Sequence, residues 1–367
     1  MFAEVDLRAL AEMSSTDRAF LSVYLSEPRS IGSLPARLRR LRKALTSGNG
    51  DDEREHLDQN LSMLRQYLED RSPDTPCCLF VCWALDYLRH IPLTAPVSDS
   101  VHIDRGPYIR PLAELQDEYE NVAVVLADNS RARVYMVSSA VAEEGQTLRG
   151  NVKNHVRKGG WSQQRYERRR DKQLHDYAKR IVEVLEQLSR EESFRRIVLA
   201  GGREIMREVH DALPQRLQHM VAEDPMDLHR DESSINSDLM EVFEEQERAS
   251  ERDLWSRIRE EYLRGGLGVV GMGDVLAAAK IGQVETVVVE RSYNPEGTRC
   301  RDCDALHPQM LQKCPECGSN SICEVGLINE LVRLLETTSA SIDFVDPIET
   351  LTESGRIAAL LRYRIRT

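Results

Sequence analysis

No stretch of this 367-residue chain is apolar for long enough to cross a bilayer. The longest apolar run, "PCCLFVCWAL" from Pro76 to Leu85, stops at Asp86, well short of the roughly 20 residues a span requires, and it reads as a buried strand. The amino-terminal "MFAEVDLRAL" lacks the charged-then-apolar layout of a secretory signal. A cytoplasmic protein that does not enter membranes is therefore expected. A Walker loop, a Rossmann fingerprint, a nucleophile elbow and an HExxH helix are all missing, which disfavours most nucleotide, hydride and protease chemistry. His155, His175, Asp128 and Asp171 show no pairing at catalytic spacing, so they make a poor acid-base site. Disulfides are not expected in a reducing compartment, although the chain has eight cysteines.

Four of those cysteines fall in a pattern. Cys300 and Cys303 form one CxxC pair and Cys314 and Cys317 a second, with ten residues between the pairs. Each pair makes a tight knuckle that aims two thiolates at one point, and two knuckles make the tetrahedral sulfur shell that zinc favours. Pro315 and Gly318 supply the turn in the second knuckle. With all four positions filled by sulfur, the site is closed, and a structural Zn2+ is expected, with His307 and Cys323 outside the shell. Cys77, Cys78 and Cys82 sit in the apolar run and read as small core residues.

Charge is unevenly spread. The chain carries −12 overall, yet from Arg149 to Arg180 eleven Lys/Arg face three Asp/Glu. A basic segment on an acidic body seeks a polyanion while the body avoids sticking to it. Within it, Lys153, His155, Arg157 and Lys158 precede Gly159 and Gly160, which allow close backbone approach to a ligand. Trp161, Gln163, Arg165, Arg168, Arg169 and Arg170 follow, most of them on a helix whose amino end faces the glycines. Trp161 offers a stacking surface for a base, so an RNA-binding loop is expected, a flexible solvated loop being the plain alternative.

Three blocks follow from periodicity, and the fold class is α/β. Residues 1–115 combine helical spacing (Leu57, Leu61, Leu64, Leu68) with the strand candidates "FLSVYL" and "CLFVCW". Residues 116–232 open on a hairpin, with Val122, Val124, Leu126 and then Ala132, Val134, Met136 alternating around Asp128-Asn129-Ser130. A helix from about Ser162, read as its N-cap, to Ser189 carries the stripe Leu174, Tyr177, Ile181, Val184, Leu185 and Leu188. The buried strand "RIVLAGG" and another helix come next, and a mainly parallel or mixed sheet is expected. The polar stretch "VAEDPMDLHRDESS" suits a linker. Residues 233–367 hold a long acidic helix from Ile235 to Arg264, the helix "GDVLAAAKIG" closed by Gly282, the strand "VETVVVE", the cysteine insert at about 293–326, and a last strand expected at "LLRYRI".

The residues "KNHVRKGGWSQQRYERRRDKQLHDYAKRIVEVL" resemble the central-domain loop and helix of archaeo-eukaryotic class I peptide-chain release factors and of Pelota-like relatives, as do the hairpin "VVLADNSRARVY" and, in the third block, "GDVLAAAKIGQVETVVVE" with its knuckles and "SGRIAALLRYRI". The likeness runs from about residue 120 to the end and implies three α/β domains, the central one ribonuclease-H-like. It implies that the glycine loop enters the ribosomal peptidyl transferase centre, where the family has Gly-Gly-Gln. Here Trp161 stands in place of that glutamine, and only its backbone amide is left to stabilise an oxyanion, so Gly159, Gly160 and Trp161 are the catalytic positions if the chain hydrolyses peptidyl-tRNA. No Asn-Ile-Lys-Ser motif occurs in the first block, so stop-codon decoding is not expected. The resemblance thus implies a monomeric, ribosome-binding factor that occupies the A site independently of stop codons, for hibernation or rescue, with a translational GTPase as a partner of the third block. A peptidyl-tRNA hydrolase acting on stalled ribosomes is the alternative, and a zinc-ribbon RNA or DNA binder unrelated to ribosomes a third reading.

Overall fold

The computed structural model describes residues 5–15, 18–45, 51–71, 73–93, 95, 97–118, 122–138, 141–149, 161–191, 194, 196–221 and 235–364. They divide into two compact units, one made of 1–117 with 248–367 and one of 118–247. Among the described residues no helix is long and apolar enough to cross a membrane.

The amino-terminal elements are α1 (Leu7–Glu12), β1 (Phe20–Leu25), α2 (Leu34–Leu45), α3 (Asp51–Asp70), β2 (Cys77–Cys82), β3 (Tyr87–Pro92), β4 (Ser100–Asp104) and α4 (Arg110–Glu118). Their strands form an antiparallel sheet in the order β3-β2-β1-β4. Every residue of β1 and β2 is buried, because both faces of the sheet are covered. Leu21, Val23, Cys77, Leu79 and Val81 meet Leu34, Leu38, Leu57, Leu61 and Leu64 of α2 and α3, while Phe20, Tyr24 and Phe80 occupy the alternate positions. This double burial is why the sequence reads there as a continuous apolar run. Cys77 and Cys78 are core residues, and burial pushes the Cys77 thiol up to about 11.

The central unit holds β5 (Val122–Ala127), β6 (Arg131–Ser138), β7 (Val141–Arg149), α5 (Trp161–Glu191), β8 (Arg196–Gly201), α6 (Arg203–Ala212) and the short α7 (Gln215–Gln218). The sheet order is β7-β6-β5-β8, with β5–β8 parallel and the other pairs antiparallel, so the sheet is mixed. Register sets the helix-facing side: Ala123, Val125 and Ala127 pair with Met136, Val134 and Ala132, and all six pack with Leu174, Tyr177, Ala178, Ile181 and Leu185 of α5. Val124, on the opposite side of β5, is also buried. Two readings change here. Strand β7 has no counterpart in the periodicity, and α5 begins at Trp161, so Ser162 lies inside its first turn instead of capping it.

From Ile235 onward the chain forms α8 (Ile235–Leu263), β9 (Gly268–Val270), α9 (Met272–Lys280), β10 (Val284–Glu290), β11 (Glu296–Cys300), β12 (Leu306–His307), β13 (Ile322–Gly326), α10 (Leu327–Thr338), β14 (Ser341–Val345), α11 (Glu349–Glu353) and β15 (Ile357–Leu361). One sheet runs β14-β10-β15-β9, and a small one runs β12-β11-β13 between β10 and α10. Trp255 and Ile258 anchor the otherwise charged α8 against Val288, Val345, Ala358 and Leu360. Gly282 closes α9 at φ 69°, a left-handed turn that suits glycine. The last strand begins and ends earlier than expected: β15 is "IAALL", sharing only Leu360 and Leu361 with "LLRYRI", and the Arg362 side chain donates to the carbonyls of Thr338 and Ser339.

In the first unit the amino-terminal and carboxy-terminal parts share buried polar contacts. Asn329 Oδ1 on α10 accepts the amides of Ile109 at 2.9 Å and Arg110 at 3.2 Å. Arg110 donates to Asn294 Oδ1 at 2.7 Å and to the Arg291 carbonyl at 2.8 Å, and Arg333 donates to the carbonyls of Ala11 and Met13. A side chain on Gly106 would collide with the Arg333 guanidinium.

Candidate nucleic-acid interface and metal centre

From Trp161 onward the basic segment lies on α5, which packs against the central sheet. Its cations diverge at one turn. Arg168 and Arg169 are exposed, whereas Arg170 is turned to α6 and donates through Nη1 to Glu204 Oε1 at 2.6 Å, with its Nη2 on Glu204 Oε2. That hydrogen-bonded carboxylate raises the Arg170 pKa further above its already high value. One turn on, His175 Nδ1 lies 3.4 Å from Glu208. Helical spacing explains the split, since consecutive residues point about 100° apart. Lys153, His155, Arg157, Lys158, Gly159 and Gly160 lie outside the described residues, and Trp161, Gln163 and Arg165 are described in backbone only.

Asp128 belongs to the turn between β5 and β6. Its Oδ1 accepts from the Ser130 amide and hydroxyl, each at 2.6 Å, and from the Arg131 amide at 2.8 Å. Burial opposes ionisation there, but those hydrogen bonds outweigh it and hold the carboxyl below the ordinary range. Asp128 is thus fully engaged in a turn, which accounts for the sequence signal at Asp128-Asn129-Ser130. Tyr177, on the buried face of α5, has Arg180 over its ring, 5.4 Å from the centroid. Burial is the main reason its phenol is pushed well up.

The cysteines converge as their spacing demands. The thiols of Cys300, Cys303, Cys314 and Cys317 all lie within 4.8 Å of one another. Sγ of Cys300 is 3.5 Å from that of Cys317, and Sγ of Cys303 is 3.6 Å from that of Cys314. A tetrahedron of metal–sulfur bonds near 2.3 Å has edges of about 3.8 Å, so the four sulfurs fit such a shell. Cys300 ends β11, and the Asp304 amide returns to its carbonyl at 3.1 Å. The second knuckle repeats the turn, with the Gly318 amide 2.9 Å from the Cys314 carbonyl and Gly318 at φ 75°. The Cys303 backbone amide draws the Cys300 thiol down to about 7. Cys303 is pushed up to about 12: the Ala305 amide works to lower it, but burial and the thiols of Cys317, Cys314 and Cys300 prevail. Four thiols crowded at one point resist losing their protons together, and a bound dication removes that resistance. His307 Nε2 stands 3.8 Å from Cys314 Sγ, beside the shell, and Cys323 Sγ faces the Arg299 carbonyl.

Sequence reasoning left one cationic surface unremarked. Arg39 and Arg40 of α2 are exposed, while Arg37 and Arg42 of the same helix pair with Asp99 and Asp58. The signal was available in "ARLRRLRK", whose leucines face the core and whose arginines do not.

Residues 107–248 match the model of "Bacterial archaeo-eukaryotic release factor family 10". The chain is 26% identical over 296 residues to peptide chain release factor subunit 1 of Methanocaldococcus jannaschii, covering 70% of this chain and 69% of that protein. It is 23% identical over 353 residues to the protein of the same description from Thermococcus sibiricus, covering 84% and 82%. Among solved structures it aligns with S. cerevisiae Dom34, a translation termination-like factor involved in RNA quality control pathways and interacting with Hbs1, at 12% identity and a TM-score of 0.43, over 82% of this chain and 76% of that one.

Proposed function

We propose that this chain, which is similar to archaeo-eukaryotic release factors, is a ribosome-binding translation factor which occupies the A site without reading a stop codon, in hibernation or rescue of idle ribosomes. The observation that carries this reading is Trp161, which follows Gly159-Gly160 where release factors place glutamine. The flanking cations, Lys153, His155, Arg157, Lys158, Arg165, Arg168 and Arg169, suit ribosomal RNA around the peptidyl transferase centre, with Gln163 as a polar contact. Arg170 acts through α6, holding the helix that presents its two exposed neighbours. The partition at 115/116 and 232/233, with a ribonuclease-H-like centre, belongs to the same proposal, as does a translational GTPase on the carboxy-terminal domain.

The metal of the cysteine centre is Zn2+ in this reading, held by Cys300, Cys303, Cys314 and Cys317 with no position open to a substrate. It would supply folding energy to the insert and no catalysis. Release chemistry would then rest on the backbone at Gly159, Gly160 and Trp161. The amide at Trp161 can still donate to an oxyanion, but the indole cannot place water as a carboxamide does.

A single-turnover assay of peptidyl-tRNA hydrolysis on stalled ribosomes tests this. Bound protein with hydrolysis at the spontaneous rate is the expected result. Release at the rate of a genuine release factor, abolished by Gly160→Ala, would establish the hydrolase instead.

A further inference from the structure

The first cysteine knuckle is tied to the amino-terminal third of the chain by charges that contact no thiol. Arg301, between Cys300 and Cys303, lies 2.6 Å from Glu53 in the first turn of α3, a carboxylate that is almost wholly buried. Asp304, the residue after Cys303, sits at φ 62° and accepts from Arg105 and, at 3.0 Å, from Arg299. Arg105 follows β4. It donates through Nε to the Ser15 carbonyl at 2.9 Å, and the Ser15 amide returns a 2.7 Å bond to the Arg105 carbonyl. Arg299 extends the chain of charges to buried Glu330 on α10. The backbone path that aims two thiols at one point therefore also aims Arg301 and Asp304 at α3 and at the end of β4.

The buried cluster packed directly around the two knuckles is small. It comprises Cys300, Ala305 and, from the second knuckle, Cys314, with Ile322 packed against them, so two of the three buried residues are thiols of the metal shell. A core this small does not fix a loop, and the metal–sulfur bonds supply the folding energy. Resting on the zinc reading of these cysteines, we propose that the insert is a metal-dependent clasp: zinc occupancy is coupled to the docking of the first turn of α3 and of the Ser15–Arg105 pair onto the carboxy-terminal part of the chain. The contacts of Asn329 and Arg333, and that of Arg110 with the Arg291 carbonyl, bypass the insert. Metal loss thus opens the clasp and leaves the sheets standing. Coupling of this kind is reciprocal, so removing Glu53 or Arg105 must weaken zinc binding although neither touches a cysteine.

The test uses the full chain. Zinc content of the purified protein comes first, and a chain that binds no zinc overturns both the zinc reading and the clasp. Zinc affinity is then measured against a chromophoric chelator for the unmodified chain, Glu53→Gln and Arg105→Met, and hydrogen exchange is compared before and after the metal is stripped. The clasp predicts zinc binding weaker by about 10-fold or more in each variant, the range for residues that orient a metal shell. It also predicts faster exchange at residues 13–15, in the first turn of α3 and at 104–106, besides the insert, with β10 and β14 unchanged. Zinc bound with unaltered affinity in both variants, and exchange changes confined to 296–326, would overturn the clasp alone.

Discussion

His102 shows how one side chain ties stability to pH. Its ring stacks on Tyr108, centroids 3.6 Å apart and planes 7° from parallel. Burial, reinforced by the Arg110 cation, draws its pKa down to about 4 from the ordinary value of 6.5. The folded state therefore refuses a proton that the unfolded chain accepts. Stability contributed by the neutral ring is complete above about pH 6.5 and declines as pH falls toward 4, by at most about 3 kcal/mol. His102→Phe keeps the stack and removes the titration. Urea unfolding at about pH 7 and about pH 5 should show a smaller loss of stability on acidification in the variant than in the unmodified chain. Equal losses would mean that the ring titrates normally. Nothing in the sequence around "SVHID" announces this site, because the stack forms only once Tyr108 folds back along β4.

The elements themselves were largely legible. Strands β1, β2, β5, β6, β8 and β10 and helices α5 and α9 lie where apolar periodicity places them, since each buries a face wide enough to dominate its composition. What escaped has a physical cause in each case. Strand β7, "VAEEGQTLR", is an edge strand paired on one side only, and its sequence carries little apolar alternation. The end of β15 was misplaced because "LLRYR" alternates as a strand does, yet Arg362 finds carbonyl acceptors outside the sheet. The convergence of the four cysteines was legible, as knuckle spacing is local, whereas the ion pairs around them join residues hundreds of positions apart. The pair Gly201-Gly202 separates two roles at the end of β8. Gly201 has φ 125° and a Cβ there would overlap the Ala127 carbonyl; Gly202 has an ordinary φ and only van der Waals neighbours. Gly201→Ala should cost about 2–3 kcal/mol and Gly202→Ala less than about 1, read by urea unfolding. Similar costs at both positions would contradict the strand-to-helix geometry described here.

At the scale of the molecule, an acidic body carries a basic segment on its central unit, and the two outer thirds of the chain form a second unit. A polyanion-binding part on an otherwise acidic surface is what a factor needs to enter a dense RNA environment without adhering to RNA elsewhere. The sequence showed that asymmetry and the Gly159-Gly160-Trp161 substitution, but not the packing of the first and third blocks into one unit, since Asn329, Arg110 and Arg333 look like ordinary surface residues until the chain closes. The central claim is that this chain occupies ribosomes without a stop codon. It is tested most directly by cosedimentation with 70S ribosomes programmed with a stop codon, a sense codon or no codon in the A site, at about 0.15–0.3 M salt. Equal binding in all three is predicted. Binding only on stop codons, or binding that vanishes across that salt range as phosphate-dominated contacts do, would contradict it.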